Sequence, residues 1–182
     1  MDLSSTWYEL VEDNANIEQG DFIINCPVII PPKKIVDNEE YETEVKEYNV
    51  IIMSQSCDLQ QKKLRIVLVC PFYELEFVSN QKKLFKEAEM RESLRRGHLP
   101  GYHLLNKPLI DAFNDDYLVV SFRDVFGINY NFLKDFVNDN PQRLRLLSPY
   151  REHLSQAFAR FFMRVGLPSD IPKFSDKTVL VD

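Results

Sequence analysis

One short segment contains the residues that could carry out the widest range of chemistry, and it directly follows the nearly continuous apolar run of residues 49–53. The segment is Ser54, Gln55, Ser56, Cys57 and Asp58, and it combines two hydroxyls, an amide, a thiol and a carboxylate. Loops that follow a buried strand commonly present functional groups from a rigid support, so we expect this segment to line a site. Cys57 would be a nucleophile where a nearby cation or imidazole favours its thiolate, with Ser54 and Asp58 as further candidate catalytic residues.

A simpler interpretation of the same segment stays open, in which Cys57 is a small buried side chain and Asp58 caps a turn. A metal centre is disfavoured, because structural zinc sites draw their ligands from close pairs and the cysteines and histidines here are scattered. The five glycines never occur as Gly-x-Gly, and the motifs of zinc proteases and α/β hydrolases are absent. We therefore expect no metal, no nucleotide and no other cofactor.

A second candidate site is basic. Residues 81–107 carry seven Lys or Arg against three Glu, and apolar residues at helical spacing predict an amphipathic helix over residues 81–96. Cations at the end of this helix could follow an RNA backbone while aromatic rings beyond it stack on bases. The residues expected to contact RNA or a protein partner are Gln55, Lys63, Arg95, Arg96, Tyr102 and His103. The alternative is an ordinary solvated helix face.

The chain as a whole has 182 residues, 45% of them hydrophobic, and a formal net charge of −6, which suits one domain with a substantial core. Its first 61 residues are strongly acidic, with three Lys or Arg against thirteen Asp or Glu. Three scattered cysteines, no leader segment and no long apolar run predict a cytoplasmic protein with reduced thiols and no membrane contact.

Short apolar runs predict strands over residues 22–30, 45–53, 64–71, 102–105 and 117–122, with residues 73–78 extending the third or starting another. Pro27 would confine the first strand to an edge or a bend, and Pro71 would limit how far the ladder of the third strand continues. Helices or helical turns are expected over residues 4–11, 81–96, 131–137 and 148–166. The buried face of the last helix is expected to consist of Leu154, Ala157, Phe158, Phe161, Phe162 and Val165. Consecutive short strands pair antiparallel, so the predicted class is α+β: a small antiparallel barrel or half-barrel carrying an amphipathic C-terminal helix.

The order of these segments resembles that of the PemK/MazF-like toxin superfamily. The matching pieces are the Gly-Asp opening at residues 20–24 and the segments 49–54, 66–71, 101–104 and 118–125. The resemblance implies an SH3-like barrel over residues 20–130, with helix 81–97 as an insertion and residues 131–182 as a C-terminal helical part of one domain. It also implies a homodimer, metal-independent endoribonuclease activity between protomers, and an antitoxin as protein partner.

Two positions depart from the family pattern. The family's Arg-Pro pair before the second strand is missing, with Lys46 the nearest cation, and Pro71 and Phe72 stand where the family has Thr or Ser. Lys46, Ser54 and Arg123 are the residues that could substitute in RNA cleavage. Three functions follow: a toxin-like barrel that binds and cleaves RNA, a non-catalytic protein-interaction module of a bacterial defence or toxin–antitoxin system, and a thiol enzyme using Cys57.

Overall fold

The computed structural model describes residues 7–11, 15–34, 42–108, 116–140 and 142–163. They form an α+β fold whose strand pairs are antiparallel, which confirms the α+β part of the prediction and the antiparallel pairing. The strands are β1 (Tyr8–Val11), β2 (Phe22–Ile30), β3 (Glu44–Ile52), β4 (Ile66–Glu74), β5 (Tyr102–Leu105), β6 (Leu118–Ser121), β7 (Phe126–Asn129) and β8 (Arg143–Leu146). The helices are α1 (Ser56–Gln60), α2 (Leu75–Gln81), α3 (Ala88–Arg95), α4 (Tyr130–Asp139) and α5 (Tyr150–Phe162), with a 3₁₀ turn over Lys83–Lys86.

Strand β4 organises the larger sheet, whose order is β2-β3-β4-β6-β5 with β7 also pairing with β4. Its first residues pair with β7, and its end pairs with β6. Pro71 pairs with Val50 of β3, while the next residue, Phe72, pairs with Val120 of β6. The β3–β4 ladder ends at Pro71, which has no N–H to donate, as predicted, and the strand continues through Glu74 beside β6.

The hairpin of β2 and β3 carries the buried centre of the sheet. Val50, Ile51 and Ile52 are 0% exposed, and a continuous apolar run of this kind is typical of a strand covered on both faces. β2 lies at one end of the sheet order, which confirms the edge position predicted from Pro27. The register shifts between residues 23 and 26, where Asn25 has a φ of 52°, a left-handed conformation that Asn tolerates.

A separate ribbon of β1 and β8 joins the start of β2. The Leu146 N–H donates to the Gly20 carbonyl at 2.9 Å, and Asp21 forms an isolated bridge with Arg145. Gly20 has a φ of +86°, and an added Cβ would lie 3.2 Å from the Leu146 Cβ, so this junction requires glycine. The helix or turn expected at the N-terminus is wrong for Tyr8–Val11, which is a strand because β8 supplies a partner. Residues 4–6 lie outside the described part of the chain.

The segment between β4 and β5 differs most from expectation. Residues 75–78, expected as strand, open α2, since Leu75, Val78 and Ser79 follow helical spacing. The single basic helix over residues 81–96 is also wrong, because extended backbone at Lys82 and Glu87 separates α2, the 3₁₀ turn and α3. The break lets Phe85 become fully buried, with its ring edge-on to Tyr102 at 5.2 Å.

Helix α5 covers the sheet as predicted, with a different start and a narrower buried face. It begins at Tyr150 after Pro149 as N-cap, and Leu154 is 0% exposed. Phe158 and Phe161 pack on Phe122, whereas Phe162, expected in the core, is 59% exposed because it contacts only the rim of that cluster. Val165 and Gly166 lie outside the described residues. None of the described helices is long and apolar enough to cross a membrane.

Candidate functional site

Ser54 and Asp58 support the local fold. Ser54 is 7% exposed, and its hydroxyl accepts a hydrogen bond from the Leu68 N–H at 2.9 Å, which joins the end of β3 to β4. Asp58 is half-buried in α1, and its backbone carbonyl accepts the N–H of the exposed Lys63 at 3.0 Å. Neither Ser54 nor Asp58 is a described wall residue of the two clefts described below, so neither shares a cleft with Cys57.

Cys57 is exposed and lines a cleft of about 380 Å³ between α1 and the start of α5, here called the thiol cleft. The described residues of its wall are Gln19, Gln55, Ser56, Cys57, Arg151, Glu152, Ser155 and Gln156. Gln19 fixes the floor: it is 6% exposed, its side-chain amide donates to the Met53 carbonyl at 2.8 Å, and its N–H donates to the Ser56 hydroxyl at 3.1 Å. These described wall residues include no histidine, so the imidazole base considered for Cys57 is not in this cleft.

A buried ion cluster anchors the loop of residues 15–21 that carries Gln19. Asp21 is 0% exposed and accepts hydrogen bonds from the Arg143 Nε at 2.9 Å and the Arg145 Nε at 2.5 Å. The second arm of each guanidinium donates to backbone carbonyls of the loop. Glu18 extends the cluster toward the thiol cleft through Arg151, at 3.9 Å. The residue pair Gly20-Asp21, which directly precedes β2, therefore connects β2 to β8.

Lys46 lies far from the thiol cleft. It is exposed near the start of β3 and forms an ion pair with Glu44 at 3.1 Å. About 20 Å of extended strand lies between Lys46 and the end of β3 at Ile52, and Ser54 follows two residues later. A shared role of Lys46 and Ser54 at one phosphate finds no support in this placement.

Two cations, Arg123 and Lys82, lie near the aromatic ring of Tyr102, the first residue of β5. The Arg123 guanidinium carbon lies 5.3 Å from the Tyr102 ring centre. The Lys82 ammonium lies at the same distance and donates a hydrogen bond to the Tyr102 hydroxyl at 2.9 Å. Gly101 leaves the space for Arg123, since an added Cβ would stand 2.8 Å from its Nε. The negative face of an aromatic ring attracts cations. The contact with Tyr102 therefore holds the Arg123 side chain in place although Arg123 is exposed.

The largest gathering of predicted RNA contacts is a groove of about 560 Å³ between the start of β5 and α5, here called the histidine groove. Its described wall residues are Arg96, Gly97, Leu99, Pro100, Tyr102, His103, His153, Gln156, Ala157 and Arg160. The structure thus places Arg96, Tyr102 and His103, three of the residues predicted to contact RNA or a protein partner, in one wall. Arg95 is turned to Glu92, with both hydrogen bonds at 2.7 Å, and is not a wall residue. Lys63 and Gln55 lie elsewhere, at α1.

The histidine groove is cationic at its rim and neutral in its depth. The described wall contains Arg96 and Arg160 and no acidic residue. Glu92 contacts both Arg95 and Arg96, and their hydrogen bonds lower the pKa of Glu92 to about 2, so one carboxylate faces two guanidinium groups. Burial, and to a smaller extent the nearby His153, lower the pKa of His103 to about 4. His103 is therefore uncharged at neutral pH.

Sequence reasoning missed the half of this groove that α5 contributes. His153, Gln156, Ala157 and Arg160 recur at helical spacing on one side of α5. Three of these four residues belong to the polar side of a helix whose apolar side, which includes Ala157, was recognised, but nothing in the sequence indicates that β5 lies against this helix. Gln156 also belongs to the wall of the thiol cleft, so the two clefts meet along α5.

No protein-family model matches this chain, and no curated protein matches it. Among the residues that the structure describes, no three His, Cys, Asp or Glu side chains are grouped so that they could hold a metal ion. The functional argument therefore depends on the two clefts and their charges.

Proposed function

We propose that this protein binds single-stranded RNA along the histidine groove. The observation that carries the proposal is the local reversal of charge: a chain with a net charge of −6 has a groove whose described wall holds two arginines, two histidines, a tyrosine and no carboxylate. Binding of a nucleic acid backbone needs such clustered cations, and single strands are also held by aromatic rings. The tyrosine and the two imidazoles of the wall offer rings on which unpaired bases can stack, which suits a single strand better than a duplex.

The proposal retains the toxin-like interpretation. Antiparallel strands followed by a terminal helix are compatible with an SH3-like barrel of the PemK/MazF-like kind, with endoribonuclease activity, a homodimer and an antitoxin-like protein partner as its consequences. The described ladders run from β2 to β5 as an open path, so a barrel would be a partly open one. In this interpretation the RNA site is the groove on α5.

Removal of a groove arginine tests the proposal. With a short fluorescein-labelled single-stranded RNA of mixed sequence, we expect Arg160→Gln to weaken binding about tenfold at low salt, the loss of one charge-assisted contact. Binding should weaken with added salt, and the slope of log affinity against log salt should fall by about 0.7 for each phosphate contact removed. Fluorescence anisotropy measures both quantities.

The matched control is Arg65→Gln. Arg65 is exposed, precedes β4 and is not a described wall residue of the groove, so this variant loses the same charge elsewhere on the surface. Equal weakening by Arg65→Gln and Arg160→Gln would show that only the overall charge matters. No binding of RNA by the unaltered protein at low salt would refute the proposal.

A protein-interaction module is the second candidate, because the edge hairpin exposes an apolar pair. Ile29 and Val45 lie directly opposite each other on β2 and β3 and are 69% and 56% exposed. Exposed apolar residues on an edge strand favour pairing with another chain. A stable protein complex that is lost on Ile29→Lys, without loss of RNA binding, would assign this surface to a partner.

A further inference from the structure

We infer that Arg123 and Lys82, both held at the Tyr102 ring, bind a terminal phosphate of the RNA strand whose other nucleotides lie in the histidine groove. The inference rests on the proposed RNA binding and adds the class of strand that binds best, one with a phosphate monoester at an end. It gives Arg123 a role in binding, in place of the role in RNA cleavage that the sequence predicted.

The two cations lie directly beside the histidine groove. Tyr102 is a wall residue of the groove, whereas Arg123 and Lys82 are not described wall residues and contact it from outside. Each charged group lies 5.3 Å from the centre of the Tyr102 ring, so the two are at most twice that distance apart. The Lys82 ammonium also contacts the ring hydroxyl at 2.9 Å, which places it toward the hydroxyl edge of the ring. One phosphate group can therefore reach both cations after small rotations of their side chains.

Both cations are held without being neutralised by a carboxylate. Elsewhere a fixed guanidinium is fixed by an ion pair, as Arg95 is by Glu92 at 2.7 Å. No ion pair among the described residues includes Arg123 or Lys82. Asp124, which follows Arg123, accepts a hydrogen bond from a hydroxyl of β6 at 3.0 Å. An aromatic ring attracts a cation and leaves its charge in place, so both charges remain available to an anion.

The same two side chains keep hydrogen-bond donors for that anion. Lys82 uses one of its three donors on the Tyr102 hydroxyl, and the described hydrogen bonds use none of the five donors of Arg123. Gly101 makes room for this arrangement, since an added Cβ would stand 2.8 Å from the Arg123 Nε. The fork of a guanidinium matches two oxygens of a phosphate, and an ammonium adds a point charge beside it.

The combined charge of the pair favours the end of a strand over its middle. An internal phosphodiester carries one negative charge, whereas a phosphate monoester carries about −1.5 to −2 at neutral pH and presents three acceptor oxygens. Two cations match the monoester. Internal phosphates are left to Arg96 and Arg160, which belong to the groove wall itself. A 5′-phosphate and a 3′-phosphate share this chemistry, and the experiment distinguishes them.

The test compares three forms of one single-stranded RNA of about eight nucleotides, a length within the range that single-strand sites cover. One form has a 5′-phosphate, one has a 3′-phosphate and one has hydroxyls at both ends, and each carries the same internal fluorescent base. Fluorescence anisotropy with the whole protein gives the affinities. We expect one phosphorylated form to bind about tenfold more tightly than the hydroxyl form, the usual effect of added charge-assisted contacts.

Substitution of the two cations should remove this preference. Arg123→Gln and Lys82→Gln should each lower the preference at least about threefold, and the double variant should bind the three forms alike, since the charged donors are gone. Lys134→Gln and Arg65→Gln are the matched controls. Both residues are exposed, and neither is a described wall residue of the groove, so the preference should be unchanged.

The outcomes separate this inference from the proposed function. Equal affinity of the unaltered protein for all three forms overturns the terminal-phosphate site and leaves RNA binding standing. A preference that persists in the double variant also overturns it, because another site then holds the phosphate. Weakening of all three forms by the same factor would assign an internal phosphate to the pair and overturns it as well. Absence of binding by every form overturns the proposed function and this inference with it.

Discussion

The three cysteines show how one residue type takes different roles by position. Cys26 and Cys70 are 0% exposed on β2 and β4, and burial raises the pKa of each thiol to about 12. Cys57 is exposed in the thiol cleft. The thiolate is the reactive form, so the two buried thiols are inert at neutral pH in the folded protein.

A first prediction follows for thiol labelling. Brief treatment of the native protein with iodoacetamide at neutral pH should modify Cys57 alone, and all three cysteines should react after denaturation. Intact mass and peptide mapping give the count and the position. In Cys57→Ser the native protein should take up no label, and rapid labelling of Cys70 would contradict the burial described for β4.

At the scale of elements, Asp21 is the junction between β2, the loop before it and β8. Its two oxygens face two guanidinium groups, one of which is 3% exposed at its side chain. A buried ion pair stabilises the folded protein little more than apolar residues of the same shape would. Removing one partner, however, leaves the other charge buried and uncompensated.

We therefore expect Asp21→Ala to lower the free energy of unfolding by about 3–5 kcal/mol. Urea unfolding followed by circular dichroism measures the change. Asp135→Ala, at an exposed position of α4, is the control and should stay within about 0.5 kcal/mol. A loss at Asp21 no larger than at Asp135 would show that Arg143 and Arg145 find other partners.

At the scale of the whole molecule, stability should respond to acid through the histidine groove. The pKa of His103 is about 4 in the folded protein, against about 6.5 in an unfolded chain. Between these values the unfolded chain binds a proton that the folded protein does not, so the free energy of unfolding falls as the pH falls. Burial is the main cause of the lowered pKa, and His153 of α5 adds to it, while Arg160 of α5 and Arg96 of the preceding loop are the other charged residues of the described wall.

The predicted loss is at most about 3 kcal/mol between pH 6.5 and 4, and it is absent above that window. The loss in the free energy of unfolding is measured by urea unfolding of the unaltered protein and of His103→Asn across this pH range. The difference between the two curves isolates His103 from the carboxylates, and His98→Asn should follow the unaltered protein. If the free energy of unfolding of His103→Asn fell with pH in parallel to that of the unaltered protein, the result would contradict the burial of this imidazole.

Local pattern was enough to predict much of the fold and little of the site. The apolar run around Val50 and the helical spacing around Leu154 predicted β3 and α5, because burial of a repeating face leaves a mark in the sequence. The partner strand of Tyr8–Val11 and the break before Phe85 depend on contacts distant in the chain. The same holds for the meeting of His103 with His153, since no local rule connects β5 to α5.

The chain contains one tryptophan, and its place gives the molecule an optical reporter of its own. The Trp7 ring lies flat on the Tyr150 ring, with 3.7 Å between their centroids. The backbone carbonyl of Trp7 accepts a hydrogen bond from the Leu147 N–H. Tyr150 is the first residue of the helix that forms one wall of both clefts. Indole emission should therefore change when that helix is displaced or drawn closer, and ligand titrations can be followed without attaching any dye.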